Sequence, residues 1–254
     1  MSLYFREVGS GQPVIILHGL FGSSDNWLTI ARQLATDYRL VLPDQRNHGR
    51  SFKSETFDYQ SMSRDLLDFI EENSIDHPVI IGHSMGGKVA MNFAVNYPSM
   101  LSKLVVVDIG PKAYPVHHQQ ILSGLNHLDL TRIKSRKEAD DLLSDYVEEA
   151  GVRQFLLKNL DRDEDGAFTW KLNLPVITRE IENVGEALSV EKTFSKPALF
   201  VKGERSEYIV DDDSQRITQI FPDNRIVSVS RAGHWVHAEN PSEFLSVIKA
   251  FLME

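Results

Sequence analysis

The segment "VIIGHSMGG", residues 79–87, constrains this chain more than any other. A β-branched run ends at Gly82, and an apolar helical pattern, "MGGKVAMNFAVNYP", opens at Met85 and stops before Pro98. Strand, sharp corner and buried helix in immediate succession belong to a sheet with helices packed on it. The glycines at 82 and 86 flank a corner too tight for side chains on either side. Such a corner lifts the Ser84 hydroxyl above the sheet, at a helix N-terminus where backbone N–H groups favour negative charge.

The same alternation runs along the chain. "LYFREV" and "PVIILHG" flank "GSGQ" and read as an antiparallel hairpin. "YRLVLPD", "LSKLVVVDIG", "PALFVKG" and "NRIVSVS" are further strands, several apolar on both faces as buried parallel strands are. "DNWLTIARQLATD", "YQSMSRDLLDFIEEN" and the closing "PSEFLSVIKAFL" carry helical spacing. The long stretch between "VVVDIG" and "PALFVKG" breaks the rhythm. Its residues 119–160 look helical, and "DEDGAFTWKLNLP" reads as a turn with a short extended piece. Residues 111–191 are therefore expected to form a cap over the strand ends, where α/β sheets bind ligands, leaving 1–110 and 192–254 as the core.

Composition narrows the functions. A net charge of −9 argues against nucleic acid or an anionic membrane as partner. No apolar run is long enough to span a bilayer, and the N-terminus shows no signal-peptide pattern. The absence of cysteine rules out disulfides, thiolate metal sites and a cysteine nucleophile, and fits a cytoplasmic location. No histidine and carboxylate spacing suggests a metal, and no cofactor is expected.

Two further segments complete a chemistry. "VIILHGLFGSSDNW" ends a strand in His18-Gly19, so the backbone N–H groups of Leu20 and Met85 are the expected donors to a developing oxyanion. His18 itself reads as a buried structural group, and Phe21 and Trp27 as pocket or core. "SRAGHWVHAENP" supplies the base, since a serine hydroxyl attacks only when an imidazole takes its proton. His234 follows the last strand, in the chain order nucleophile, acid, base. His237 reads as packing. His48, His77, His83, His117, His118 and His127 fall in less suitable places.

"HGLFGSSDNW", "DQRNHGRS", "GHSMGGK", "VVVDIGP" and "GHWVHAENP" resemble the α/β-hydrolase superfamily, and in combination the small bacterial acyl esterases of the YbfF type. The resemblance runs the length of the chain. It implies an α/β-hydrolase fold, a mostly parallel twisted sheet with helices on both faces and a helical cap inserted between strands 6 and 7. It also implies a serine hydrolase of short to long acyl esters or thioesters, without cofactor; either a monomer or a homodimer is expected. Perhydrolysis or carbon–carbon bond hydrolysis would use the same groups, and a hydrolase-like receptor for a small ligand would keep them unused. Epoxide hydrolysis and dehalogenation require Asp where Ser84 stands.

The acid that orients His234 is less obvious. Its usual place, after the strand ending in Gly203, holds Ser206. Glu204 and Glu207 flank a solvent-facing tip. Asp211, Asp212 and Asp213 read as a solvated helix start, and Asp44 as a loop-fixing carboxylate. Asp108, closing the valine run next to the Ser84 strand, would be costly there without a cationic or N–H partner. The resembled esterases place their acid after this strand, so Asp108 is expected to orient His234. The same resemblance suggests Ser206 as a supporting member.

Overall fold

The computed structural model describes residues 2–188 and 191–254. In chain order the strands are β1 (Phe5–Val8), β2 (Gln12–Leu17), β3 (Tyr38–Pro43), β4 (Val79–His83), β5 (Lys103–Val107), β6 (Leu160–Arg162), β7 (Phe168–Trp170), β8 (Ala198–Gly203) and β9 (Asn224–Val229). The helices are α1 (Leu28–Leu34), α2 (Tyr59–Glu72), α3 (Met85–Asn96), α4 (Gln119–His127), α5 (Arg136–Leu143), α6 (Ala150–Leu157), α7 (Leu174–Arg179), α8 (Asp213–Ile220), α9 (Val236–Glu239) and α10 (Pro241–Met253).

Seven strands form one sheet in the order β1-β3-β2-β4-β5-β8-β9. Every pairing in it is parallel except β1 with β3. The expected hairpin of β1 and β2 does not form, because β3 lies between them and pairs with both. Leu40 and Leu42, on one face of β3, and Val41, on the other, are all fully buried. A strand apolar on both faces needs neighbours on both edges as well, and β1 and β2 supply them.

The helices divide between the faces by their apolar stripes. Met62, Leu66, Phe69 and Ile70 of α2 pack with nearly the whole of α3 on one side. α1 and α10 cover the other, with Ile30, Leu34, Phe244 and Ile248 fully or nearly fully buried. Arg46, from the loop after β3, grips Asp65 of α2 through two bonds of 2.5 and 2.7 Å and fixes α2 to that loop.

The insertion leaves the sheet after β5 and returns at β8, the fifth and sixth strands of the sheet rather than the sixth and seventh. The expected position is off by one because this sheet has seven strands. α4 to α7 and the small β6–β7 hairpin occupy the inserted segment. Its two legs are tied together where they meet the core. Tyr114 N–H donates to Gly185 O at 2.8 Å, and Leu188 N–H to Pro111 O at 2.9 Å. Lys88, buried in α3, donates to Lys112 O in one leg and, at 2.7 Å, to Glu186 O in the other.

Candidate functional site

The corner between β4 and α3 carries Ser84 with φ +52° and ψ −118°, a conformation L residues rarely adopt. The two flanking glycines make it possible. A Cβ on Gly82 would lie 2.3 Å from Gly86 O, and one on Gly86 would lie 2.5 Å from Leu17 O. Ser84 N–H donates to Val107 O at 3.0 Å, so the corner is anchored to the end of β5.

His234 lies in the segment between β9 and α9, and its imidazole bridges two groups. Nδ1 stands 2.8 Å from Asp108 Oδ2 and Nε2 stands 3.0 Å from Ser84 Oγ. A carboxylate only accepts, so Nδ1 carries the proton and Nε2 is free to accept the serine hydroxyl's. Tyr208 stacks on the imidazole, with centroids 4.1 Å apart and planes 21° from parallel. His83 Nε2–H donates to His234 O at 2.9 Å and holds the backbone of that residue.

Asp108 is fully buried and also has positive φ, +53°. Its backbone N–H donates to Val201 O at 2.8 Å, and the turn carries the carboxylate over the end of β8. There Oδ1 accepts Gly203 N–H at 3.0 Å, while Oδ2 accepts Ser206 Oγ–H at 2.5 Å as well as His234. Three donors supply the partners such a buried charge requires. Ser206 is thus brought into the cluster. Glu204 and Glu207 are exposed, and Glu204 bonds Arg231 N–H instead. Asp211 and Asp212 are exposed as expected, but Asp213 is not: it is 8% exposed and pairs with Lys112 at 2.6 Å. A like-charge run in sequence does not reveal a cation brought from the distant insertion.

On the other side of Ser84 runs the loop after β2. Phe21 has φ +60° and its N–H donates to His48 Nε2 at 3.2 Å. Gly22 N–H donates to Gly19 O at 3.0 Å. Just ahead of them in the chain, the N–H of Leu20, like that of Met85, makes no hydrogen bond among the described residues. The segment "DQRNHGRS" braces this loop. Gln45 N–H donates to His18 Nε2 at 3.0 Å, and Asp44 accepts Ser24 and Arg50 N–H at 2.6 and 2.9 Å. Asp44 thus fixes loops through backbone amides, one of the readings its sequence position allowed. Burial lowers the imidazoles of His18, His48 and His83, leaving them neutral structural groups. His237 packs on Trp27 with centroids 3.9 Å apart, and burial pushes it down to about 3. Trp27 and Phe21 belong to the core.

A narrow cavity opens beside Ser84 and Met85, under the insertion. Tyr59, Ile109, Tyr114, Val116, His118, Val184 and Tyr208 line it. Its space free of atoms is about 360 Å³, part of it open to solvent. A wider, open depression near Lys192 and Arg216 contains none of these groups. Tyr208, His118, Lys88 and His48 were not anticipated as parts of the site. Only Lys88 leaves a local trace, as a lone cation in an apolar helix. Among the described residues no helix is long and apolar enough to cross a membrane, and no group of three or more His, Cys, Asp or Glu side chains is disposed to hold a metal.

Known proteins resemble this chain to different extents. The family model for the alpha/beta hydrolase fold matches residues 12–130. The sn-1-specific diacylglycerol lipase ABHD11 of Danio rerio is 38% identical, over 98% of this chain and 80% of its own. Esterase YbfF of Escherichia coli strain K12 is 35% identical, over 96% of this chain and 94% of its own. A solved marine microorganism esterase superposes with a TM-score of 0.96 at 43% identity, covering 98% of this chain and 99% of that one. The chain belongs to the α/β-hydrolase superfamily, among its esterases and lipases.

Proposed function

We propose that the protein hydrolyses carboxylic esters through an acyl-enzyme on Ser84. Ser84 Oγ attacks the acyl carbonyl while His234 Nε2 takes its proton. Asp108 holds the imidazole in the Nδ1–H tautomer and stabilises the imidazolium. The oxyanion is received by the N–H groups of Leu20 and Met85, each worth on the order of 10²–10³ in rate. Collapse expels the alcohol, protonated by His234. A water molecule, activated by the same imidazole, then releases the acid. Thioesters fit the same sequence, with a thiol as leaving group.

The observation that carries this reading is the chain Ser84–His234–Asp108, at 3.0 and 2.8 Å, opening onto the cavity beneath the insertion. Residues 111–191 act as a cap that closes the cavity and excludes water during acyl transfer. A long chain, such as those of a diacylglycerol, requires the cap to part from α3.

The test is Ser84→Ala, assayed with p-nitrophenyl esters from two to sixteen carbons beside acyl-CoA thioesters. Turnover should fall by roughly 10⁶-fold, as loss of the serine does in subtilisin, with the circular dichroism spectrum unchanged. Residual turnover within tenfold of wild type would rule out Ser84 as the nucleophile.

A further inference from the structure

Asn159, just after α6, reaches from the insertion into the loop that follows β2. It is 3% exposed, and its Nδ2 donates to Phe21 O at 2.7 Å and to Leu156 O at 3.1 Å. Its backbone is fixed on both sides. Asn159 N–H donates to Leu156 O at 3.1 Å, and Lys171 N–H donates to Asn159 O at 2.8 Å. The amide is thus presented by a braced corner between α6 and the β6–β7 hairpin.

The carbonyl it grips belongs to a turn that does not hold itself. Gly22 N–H donates to Gly19 O at 3.0 Å and closes a turn in which Phe21 stands third, with φ +60°. Glycine or asparagine ordinarily takes that position, so phenylalanine needs outside contacts to stay there. His48 supplies one at Phe21 N–H, 3.2 Å away, and Asn159 supplies the other at Phe21 O.

The same contacts lead to Leu20. Phe21 O and Gly22 N–H are the two ends of one peptide group, and Gly19 O and Leu20 N–H are the two ends of another. The bonds therefore form a single line. The Asn159 amide meets Phe21 O, Gly22 N–H meets Gly19 O, and the Leu20 N–H stands at the end without a partner among the described residues. A trans peptide is planar, with its N–H and C=O pointing opposite ways, so fixing one end aims the other. Hydrogen bonds in such a line also polarise one another, by roughly 10–30% per bond. His18 adds a second donor to Gly19 O: its Nε2 accepts Gln45 N–H, so Nδ1 carries the proton and donates at 2.8 Å.

We infer that Asn159 is a positioning residue for the oxyanion site. Through two peptide groups it aims the Leu20 N–H and strengthens it as a donor, so the insertion takes part in the chemical step as well as covering the cavity. The inference rests on the roles proposed above for Ser84 and Leu20 and goes beyond them. Another amide of the insertion, Asn183 Nδ2, donates to Phe57 O at 3.0 Å and makes no bond to the turn.

The test replaces Asn159 by Leu, which keeps the shape of the amide, and by Ala, with Asn183→Leu as the control for docking of the insertion. Turnover of p-nitrophenyl butyrate gives kcat and KM. Propyl trifluoromethyl ketone measures affinity for an oxyanion: Ser84 Oγ bonds to its carbonyl carbon, His234 Nε2 takes the hydroxyl proton, and the carbonyl oxygen becomes the charged oxygen of a hemiketal. Propyl methyl ketone, far less prone to addition, reports on the cavity alone. In both Asn159 variants kcat should fall about tenfold, part of the 10²–10³ that a whole donor supplies, with KM within about twofold. Ki for the trifluoromethyl ketone should rise by the same factor, since the lost interaction belongs to the transition state, and Ki for the methyl ketone should hold. Asn183→Leu should leave every one of these values within about twofold. Circular dichroism verifies folding, and Asn159→Ser stands in for either variant that does not fold. The inference is overturned if kcat or the trifluoromethyl ketone Ki holds in the Asn159 variants, if both ketones weaken alike, or if Asn183→Leu reproduces the same pattern. Turnover and trifluoromethyl ketone binding that survive Ser84→Ala overturn the Ser84 reading instead, a result no Asn159 variant can produce.

Discussion

Replacing Asp108 by Asn removes a charge while keeping the shape, and the surrounding donors set the cost. The carboxylate accepts Gly203 N–H at Oδ1, and both Ser206 Oγ–H and His234 Nδ1–H at Oδ2. An amide has a single acceptor. With its NH₂ at the Oδ2 position, the donor faces His234 and drives the imidazole to the Nε2–H tautomer, which cannot take the Ser84 proton. With its NH₂ at Oδ1, two donors meet at 3.0 Å in a fully buried site, leaving unsatisfied groups at about 1–3 kcal/mol each. The lost attraction for the imidazolium, at 2.8 Å and an effective dielectric of 20, is about 6 kcal/mol. Part of it is returned by the amide dipole, so the expected loss in kcat is about 10³–10⁴-fold. That agrees with the ~10⁴ that the same substitution costs in a serine protease triad. The assay is p-nitrophenyl butyrate turnover, normalised to the fraction of Ser84 labelled by a fluorophosphonate. Glu207→Gln, at an exposed position, should change kcat less than twofold. A loss below tenfold in Asp108→Asn, or equal losses in the two variants, would refute the assignment.

Ser206→Ala removes the 2.5 Å donor to Asp108 Oδ2, a charge-assisted bond, and kcat should fall about tenfold with KM little changed. Unaltered kcat/KM and pH profile would show that Ser206 only fills space. Lys88 is held by burial at about 7, well below its usual 10.5, with Arg216 and Lys112 lowering it further and Glu186 opposing them. The folded state therefore binds this proton less readily than the unfolded chain, so the contribution to stability rises with pH from about 7 to about 10.5 and is flat below 7. Lys88→Met lacks that slope. The Tm difference between the two proteins should shift toward wild type by several degrees between pH 7 and 9.5, and a difference that stays constant would contradict the buried-ammonium account.

What was legible in the sequence was local or periodic. The Ser84 corner needs glycine at two close approaches, and that need is written within five consecutive residues. α2 shows its buried stripe as spacing alone. His234 was singled out by chain order and by its glycine-preceded loop, and the fold sets its ring beside Ser84. Contacts between distant segments left no such trace. The apolar run of β3 declares that it is buried, not that β1 and β2 lie on either side of it. Asp213 carries the charge of a solvated helix start until Lys112, from the insertion, is folded against it. Tyr208 on His234, Lys88 on both legs of the insertion and His118 over Ser84 all join pieces that only the fold brings together. The insertion hides most, because its packing answers to a cavity rather than to a repeating surface.

The position of Asp108 is where local and long-range information meet. β5 and β8 are parallel neighbours with Val107 opposite Val201, so the residues beyond each strand emerge side by side at the rim of the sheet. A carboxylate from either strand can reach the same imidazole nitrogen, but both at once cannot be accommodated. Ser206 Oγ lies 2.5 Å from Asp108 Oδ2. A second carboxylate there would stand about 3 Å from the first, and at an effective dielectric of 20 the repulsion is about 5 kcal/mol, enough to raise one pKa by several units and leave one acid protonated. A hydroxyl at 206 reverses the sign of that contact. It donates to the carboxylate, lies where the alternative acid would have projected, and is too short to compete for His234. The serine at the vacated position and the aspartate on the neighbouring strand are therefore one electrostatic solution, and each residue is intelligible only in the presence of the other.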